Sequence, residues 1–310
     1  MQRIDHGGGV DAAAQLYGGA RGDWLDLSTG INPSPYPLPV FPADVWTALP
    51  DSAAIAALTA AARSFWTVPD GAAVLAAPGA SSLIARIPAL MTAGQVQIAG
   101  PTYNEHGHAF RALGWQVVND PAEARVVVHP NNPDGRLAVA PKGALCVIDE
   151  SFCDVIPEAS LIGLATRPGT LVLKSFGKFW GLAGLRLGFA IGDPILIEKL
   201  AQMLGPWPVS GPALVAGTAA LHDHAWADAT RKRLAQDALR LDGMVRAPLV
   251  GGTDLFRLYH VPDARAAQDG LARHRIWSRV FPYSPHWLRL GLPGHGSWAR
   301  LETAVMAALP

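Results

Sequence analysis

The chain has 310 residues, half of them hydrophobic and only 16% charged, and its 25 basic and 25 acidic side chains cancel. A chain this long and this apolar buries a large core, which excludes intrinsic disorder over most of its length. Zero net charge without long basic runs argues against nucleic acid or an anionic membrane as the main partner, and Arg231-Lys232-Arg233 and Arg273-His274-Arg275 read as solvated helix faces.

The start, MQRIDHGGG, has no apolar core of a secretory signal, and apolar stretches are cut by Arg63, Arg86, Pro88 or Gly–Pro pairs before they could span a bilayer. Two cysteines, Cys146 and Cys153, make no disulfide framework, so a reduced, cytoplasmic setting is expected. Residues 1–45 are rich in Gly and Pro and hold the run Ile31-Asn32-Pro33-Ser34-Pro35-Tyr36-Pro37. Proline denies both helix and central strand, so this region reads as an extended arm, docked through Trp24, Leu25, Leu27 and Ile31.

From residue 46 an alternation follows. Helices are expected over 53–66, 81–92 and 105–113, and short apolar strands at 73–77, 96–98, 126–128, 145–148, 171–173 and 187–191. Nearly unbroken apolar strands between helices indicate a mostly parallel sheet covered on both faces, a doubly wound α/β domain over 46–222. Near Asp223 the pattern changes. A long polar-faced helix over 223–245, strands at 255–259 and 287–291, and helices over 264–274 and 298–308 read as a smaller α+β domain, 223–310.

Ligands of an open parallel sheet bind beyond the carboxyl ends of its strands, so the residues after each apolar run carry the argument. After 73–77 comes Gly79-Ala80-Ser81-Ser82, a glycine turn into a helix that suits a phosphate and equally suits an ordinary capped turn. After 126–128 comes His129-Pro130-Asn131-Asn132-Pro133-Asp134-Gly135, built of turn formers. After 145–148 comes the carboxylate pair Asp149-Glu150, with no G-x-x-x-x-G-K-[ST] loop to make it an NTPase. After 171–173 come Lys174, Ser175, Gly177, Lys178, Gly181, Gly184 and Arg186 on one loop. The other lysines, Lys142, Lys199 and Lys232, lie in a turn or on helices. Lys178, flanked by glycine and aromatics, is the favoured nucleophilic amine and Lys174 its rival.

The run SFGKFWGLAGLRLGF resembles the lysine signature of the class I/II aminotransferase superfamily of fold-type I, pyridoxal-phosphate enzymes with an aspartate-aminotransferase-like fold; HPNNPDG and IDESF are similar to two further motifs of that family. The resemblance implies that Lys178 carries pyridoxal 5'-phosphate as a Schiff base, Asp149 pairs with the pyridinium nitrogen, Asn132 bonds the ring's phenolic oxygen and Tyr103 stacks on the ring. It further implies that Ser175, Arg186 and the Gly79, Ala80 and Ser81 amides grip the phosphate, and that Arg289, in WLRLGLPG, takes a substrate α-carboxylate.

WLDLSTGINPSPYPLP, with DHGGG before it and GTDLFRLYHV later, resembles the threonine-phosphate decarboxylases of cobalamin biosynthesis. That likeness implies decarboxylation of L-threonine O-3-phosphate to (R)-1-amino-2-propanol O-2-phosphate in a homodimer whose arm covers the active site, with His6, Ile31 and Asn32 as candidate ligands of the substrate's phosphate. Two positions depart from the superfamily: Phe152 and Leu49 stand where tyrosines are usual. A histidinol-phosphate aminotransferase or related transaminase is the alternative, and a non-catalytic pyridoxal-phosphate-binding protein a further one. The pairs His106/His108 and His222/His224 read as polar surface or helix ends, with His106 a candidate neighbour of the cofactor; no catalytic metal is expected, since i,i+2 side chains on a helix diverge.

Overall fold

The computed structural model describes residues 6–309. The chain forms two compact units, one from residues up to Pro35, Pro133–Arg136 and Ala229 onward, the other from Tyr36–Asn132 and Leu137–Asp228. No helix among the described residues is long and apolar enough to cross a membrane.

The larger unit is built on a seven-stranded sheet. Across it run Ala73–Ala77, Gly188–Gly192, Thr170–Ser175, Leu145–Asp149, Ala124–Val128, Gln95–Gln97 and Gln116–Val118. Among the described residues, six of its strands run in one direction and Gly188–Gly192 runs against them. The α/β class and mostly parallel sheet are thus as the apolar runs require. Strands 145–149 and 188–192 are buried at every position, as expected of a sheet covered on both faces. The register aligns Val128 with Asp149 and Asp149 with Leu173, and sets Gly188 opposite both Ser175 and Ala77. All the motif-bearing strand ends therefore emerge at one edge.

Several elements differ from the sequence expectation. The helix expected over 81–92 is one turn and a half, Ala80–Ile84, followed by a 3-10 turn, Ile87–Leu90. Pro88 has no N–H to continue the α-helical ladder, which accounts for the change. Gln116–Val118, Pro194–Leu204 and Gly211–His222 are regular elements that the sequence reading does not mark. Tyr36, at the end of the proline run, donates its backbone N–H to the Trp180 carbonyl (2.9 Å) and packs edge-on against Trp180 and Trp226.

The smaller unit carries a four-stranded antiparallel sheet, in the order Arg279–Phe281, Ser284–Gly291, Phe256–His260, Leu249–Thr253. The helix Ala264–Arg273 packs against it and Trp298–Ala308 packs against that helix, burying Leu271, Leu301 and Val305. Its N-terminal residues are not wholly extended. Val10–Tyr17 is a helix, placed before the proline run where nothing forbids one, and Leu25–Asp26 pairs in parallel with Ile276–Trp277. Trp24 and Leu27 are buried. Gly135 needs its positive φ of 73°, and a Cβ there would lie 1.9 Å from the Gly252 carbonyl oxygen, so no other residue fits that turn.

Candidate active site

The strand ends of the larger unit enclose one pocket. Ala80, Ser81, Tyr103, Asn132, Asp149, Ser175, Lys178 and Arg186 all line it, together with Ser151 and Phe152. These are cofactor candidates drawn from five separate segments of sequence, brought together by the sheet register.

Asp149 is its buried anion, at 1% exposure. Burial opposes ionisation, but hydrogen bonds from His106 and Ser151 outweigh it and hold the carboxyl below the usual aspartate range. His106 Nε2 donates to Oδ2 (2.8 Å), and Ser151 donates to Oδ1 from its hydroxyl (2.5 Å) and its backbone N–H (3.0 Å). His106 is itself 1% exposed, so it is no surface residue, whereas His108 is exposed as read. The signal for Ser151 is in the sequence: an aspartate with serine two residues on closes a local turn through its own side chain.

Elsewhere on the pocket lining Arg186 donates from Nη2 to Ser81 Oγ (3.0 Å) and from Nη1 to the Ala183 carbonyl (3.0 Å). Arg186 takes a left-handed backbone, φ 53°, at the end of the turn Ala183–Leu185. Gly79 makes this possible: its φ is 82°, and a Cβ would lie 2.5 Å from Arg186 Nη2. Ser175 Oγ accepts from the Gly177 N–H (3.2 Å). A guanidinium, two hydroxyls and a glycine cradle form a site for an anion such as phosphate.

Lys178 also lines the pocket, half-buried, with Nζ 5.3 Å from the centre of the Phe152 ring. Lys174 does not line the pocket; it is 2% exposed and bonded to Glu150 (2.6 Å) and Asp154 (3.6 Å). Burial disfavours its charge, but the two carboxylates more than compensate and its pKa is raised. Of the two lysines, Lys178 is the one that lines the pocket. Burial, aided by Glu105 and Asp149, raises the Tyr103 hydroxyl above the tyrosine range, so its ring is neutral at physiological pH. Asn131 ties this wall together, donating to the Pro101 carbonyl (3.1 Å) and accepting from Thr102 Oγ1 (2.5 Å).

This donor set fits a planar phosphorylated aldehyde: an amine for the carbonyl, a fixed carboxylate for a protonated ring nitrogen, an amide for a ring oxygen, and a cationic cradle for the phosphate. A second cluster, His129, Glu150 and Cys153, has its ligand atoms within 4.8 Å of one another. They serve the fold instead. His129 donates to the Ala159 carbonyl (2.7 Å) and accepts from the Ala138 N–H (2.9 Å). Glu150 accepts from Ser160 Oγ (2.7 Å) and the Leu161 N–H (2.5 Å), while burial pushes the Cys153 thiol far from the thiolate form a metal needs.

The substrate candidates lie in the smaller unit. Arg289 is buried; it donates to the Ser28 carbonyl (2.7 Å) and lies 4.9 Å from the Phe256 ring centre. Burial, with Arg279 adding repulsion, lowers its pKa to about 9, so it keeps its charge at neutral pH. Asn32 is buried, and its Oδ1 accepts from Arg233 Nη2 (2.7 Å) and the Ser34 N–H (3.0 Å). Arg233 is therefore not the solvated charge that its place in a basic run suggests; helical periodicity turned it toward Asn32 while Lys232 points to solvent. Ile31 is half-buried, and His6 is exposed, its carbonyl accepting from Arg279 (2.9 Å).

A model of the family "Aminotransferase class I and II" matches residues 126–307. The chain is 39% identical to a threonine-phosphate decarboxylase of Pseudomonas aeruginosa, over 98% of this chain and 97% of that one. It is 41% identical to a threonine-phosphate decarboxylase of a Sinorhizobium species, over 93% of each chain. In fold it matches the crystal structure of histidinol-phosphate aminotransferase from Sinorhizobium meliloti in complex with pyridoxal-5'-phosphate, with a TM-score of 0.83 and 18% identity over 98% of this chain and 95% of that one.

Proposed function

The chain belongs to the aminotransferase class I and II family, and from that premise we propose that it decarboxylates L-threonine O-3-phosphate to (R)-1-amino-2-propanol O-2-phosphate and CO2, a step of cobalamin biosynthesis, with pyridoxal 5'-phosphate as cofactor. The observation that carries the reading is the near-full-length likeness to two threonine-phosphate decarboxylases, joined to a pocket whose charges suit that cofactor.

Bound there, pyridoxal phosphate supplies an electron sink conjugated to the substrate's amine. Lys178 Nζ would be its covalent anchor and, as a free amine, the donor of a proton to Cα. Asp149, kept ionised by His106 and Ser151, favours a protonated ring nitrogen. Asn132 holds the ring's phenolic oxygen without the hydroxyl that a tyrosine would add at Phe152. Tyr103 covers a ring face. Ser81, Ser175, Arg186 and the Gly79 and Ala80 amides hold the phosphate. Arg289 offers the substrate carboxylate a planar, bidentate partner. His6, Ile31 and Asn32, in the N-terminal arm, are the proposed ligands of the substrate's own phosphate; a His6→Ala variant with unchanged KM would remove His6 from that set. The proposed working form is a cytoplasmic homodimer.

Product analysis after incubation of cofactor-loaded protein with L-threonine O-3-phosphate tests the reading. Carbon dioxide and aminopropanol phosphate in equal amounts are expected. A keto acid with pyridoxamine phosphate would make the protein a transaminase instead.

A further inference from the structure

Behind the pocket lies a second, fully enclosed set of charges: Glu150, Asp154 and Lys174, each no more than 3% exposed. Asp154 accepts from two indoles, Trp66 Nε1 to Oδ1 (2.9 Å) and Trp180 Nε1 to Oδ2 (3.2 Å). Burying three charges costs several kcal/mol per ion, and apolar residues of similar volume often give equal stability. Stability alone is therefore a poor reason for this cluster, and its connections are informative.

Asp154 lies in the turn Cys153–Val155, which Phe152 opens and whose Cys153 N–H donates to the Glu150 carbonyl (3.0 Å). Trp180 lies two residues beyond Lys178. Its ring is completely buried and stacked between Phe176 (5.1 Å, 11°) and Trp226 (5.4 Å, 12°). The loop is closed by Gly181 N–H to the Lys178 carbonyl (3.1 Å) and Leu182 N–H to the Phe176 carbonyl (3.1 Å). Stacked rings can slide over one another at small energetic cost, whereas a charge-assisted hydrogen bond fixes one end of the indole. Asp154 thus joins the turn that presents Phe152 to the loop that presents Lys178.

We propose that Asp154 is a positioning residue for the reaction: by holding the Trp180 indole it sets the Lys178 amine over Phe152, and so its alignment with the bound cofactor. The proposal rests on the reading of Lys178 as the cofactor's lysine. It concerns neither the phosphate cradle nor the ring-nitrogen partner, since Arg186, Ser81 and Asp149 make none of these bonds.

Two variants of the full chain test it, Asp154→Asn and Trp180→Phe; the second keeps an aromatic ring in the stack and removes the N–H together with the pyrrole part of the indole. With cofactor bound, both should keep KM for L-threonine O-3-phosphate within about twofold, while kcat falls about tenfold or more in Asp154→Asn and severalfold in Trp180→Phe, the expected effect of misaligning a reacting group. Both should also shift the pH midpoint of the bound cofactor's visible absorbance band, and Asp154→Glu should recover part of kcat. A lower melting temperature with wild-type kcat and wild-type band midpoint in Trp180→Phe would overturn the proposal and leave the cluster purely structural. A Lys178→Ala protein that retains the wild-type band would instead overturn the assignment of Lys178 on which the proposal stands.

Discussion

Asp149 and Glu150 are neighbours in sequence, as are Lys174 and Ser175, and in each pair the two side chains belong to different regions. Asp149 and Ser175 line the pocket, while Glu150 and Lys174 meet in the buried cluster at 2.6 Å. The cause is the two-residue period of a strand, which sends successive side chains to opposite faces of the sheet. Both regions are rich in charge and both hold a buried carboxylate. They differ in closure: the cluster's carboxylates are bonded to a lysine, two indoles, a hydroxyl and a backbone N–H, whereas the pocket's groups surround an open space. Buried charge is therefore not the mark of an active site here; buried charge around a cleft is.

If that contrast is right, loss of a pocket group should cost mainly activity, and loss of the cluster's cation mainly stability. Lys178→Ala should lower kcat by about a thousandfold or more, the upper range for losing a proton-transfer group, with an unchanged melting temperature. Asp149→Asn should lower kcat about a hundredfold, as loss of one fixed electrostatic contact does at other sites. Its carboxyl titrates lower in the folded than in the unfolded chain, so the stability it contributes is whole above pH of about 4 and is lost as the pH falls from there through the folded value. Urea unfolding at stepped pH should find the gap between wild type and Asp149→Asn closing below about pH 4; a gap that widens would contradict the assignment of an ionised, paired Asp149.

Lys174→Met is the counterpart on the other face. It leaves two buried carboxylates without their cation and should cost about 3–5 kcal/mol in chemical unfolding. Gly79→Ala is smaller: the positive φ costs about 1–3 kcal/mol, and the new methyl displaces Arg186, so cofactor affinity falls while Lys178 chemistry remains. Least of all, Phe152→Tyr should change cofactor affinity by no more than about tenfold, the worth of one hydrogen bond, and equilibrium titration with the free cofactor measures it.

Much of the larger unit is legible in the sequence because buried parallel strands write themselves as short apolar runs. The runs at Ala124–Val128, Leu145–Asp149 and Thr170–Ser175 appear within a few residues of where the periodicity puts them. The helices Pro194–Leu204 and Gly211–His222 escape the same reading. The second is apolar nearly all round, so no polar face interrupts it to mark a period. The helix Val10–Tyr17 is hidden by the glycines and prolines on either side of it.

What the sequence by itself determined is the set of chemical groups: a lysine, a carboxylate, an asparagine and an arginine, each placed just past an apolar run, because the chain's local period fixes where strands stop. What only the tertiary structure decided is which groups meet. His106 on Asp149, Arg233 on Asn32, and Lys174 withdrawn into a cage of carboxylates are contacts between residues that are 43, 201 and 24 or 20 positions apart. Long-range contacts of this kind depend on sheet register and on which face each side chain takes, and neither is written in any single stretch of the chain.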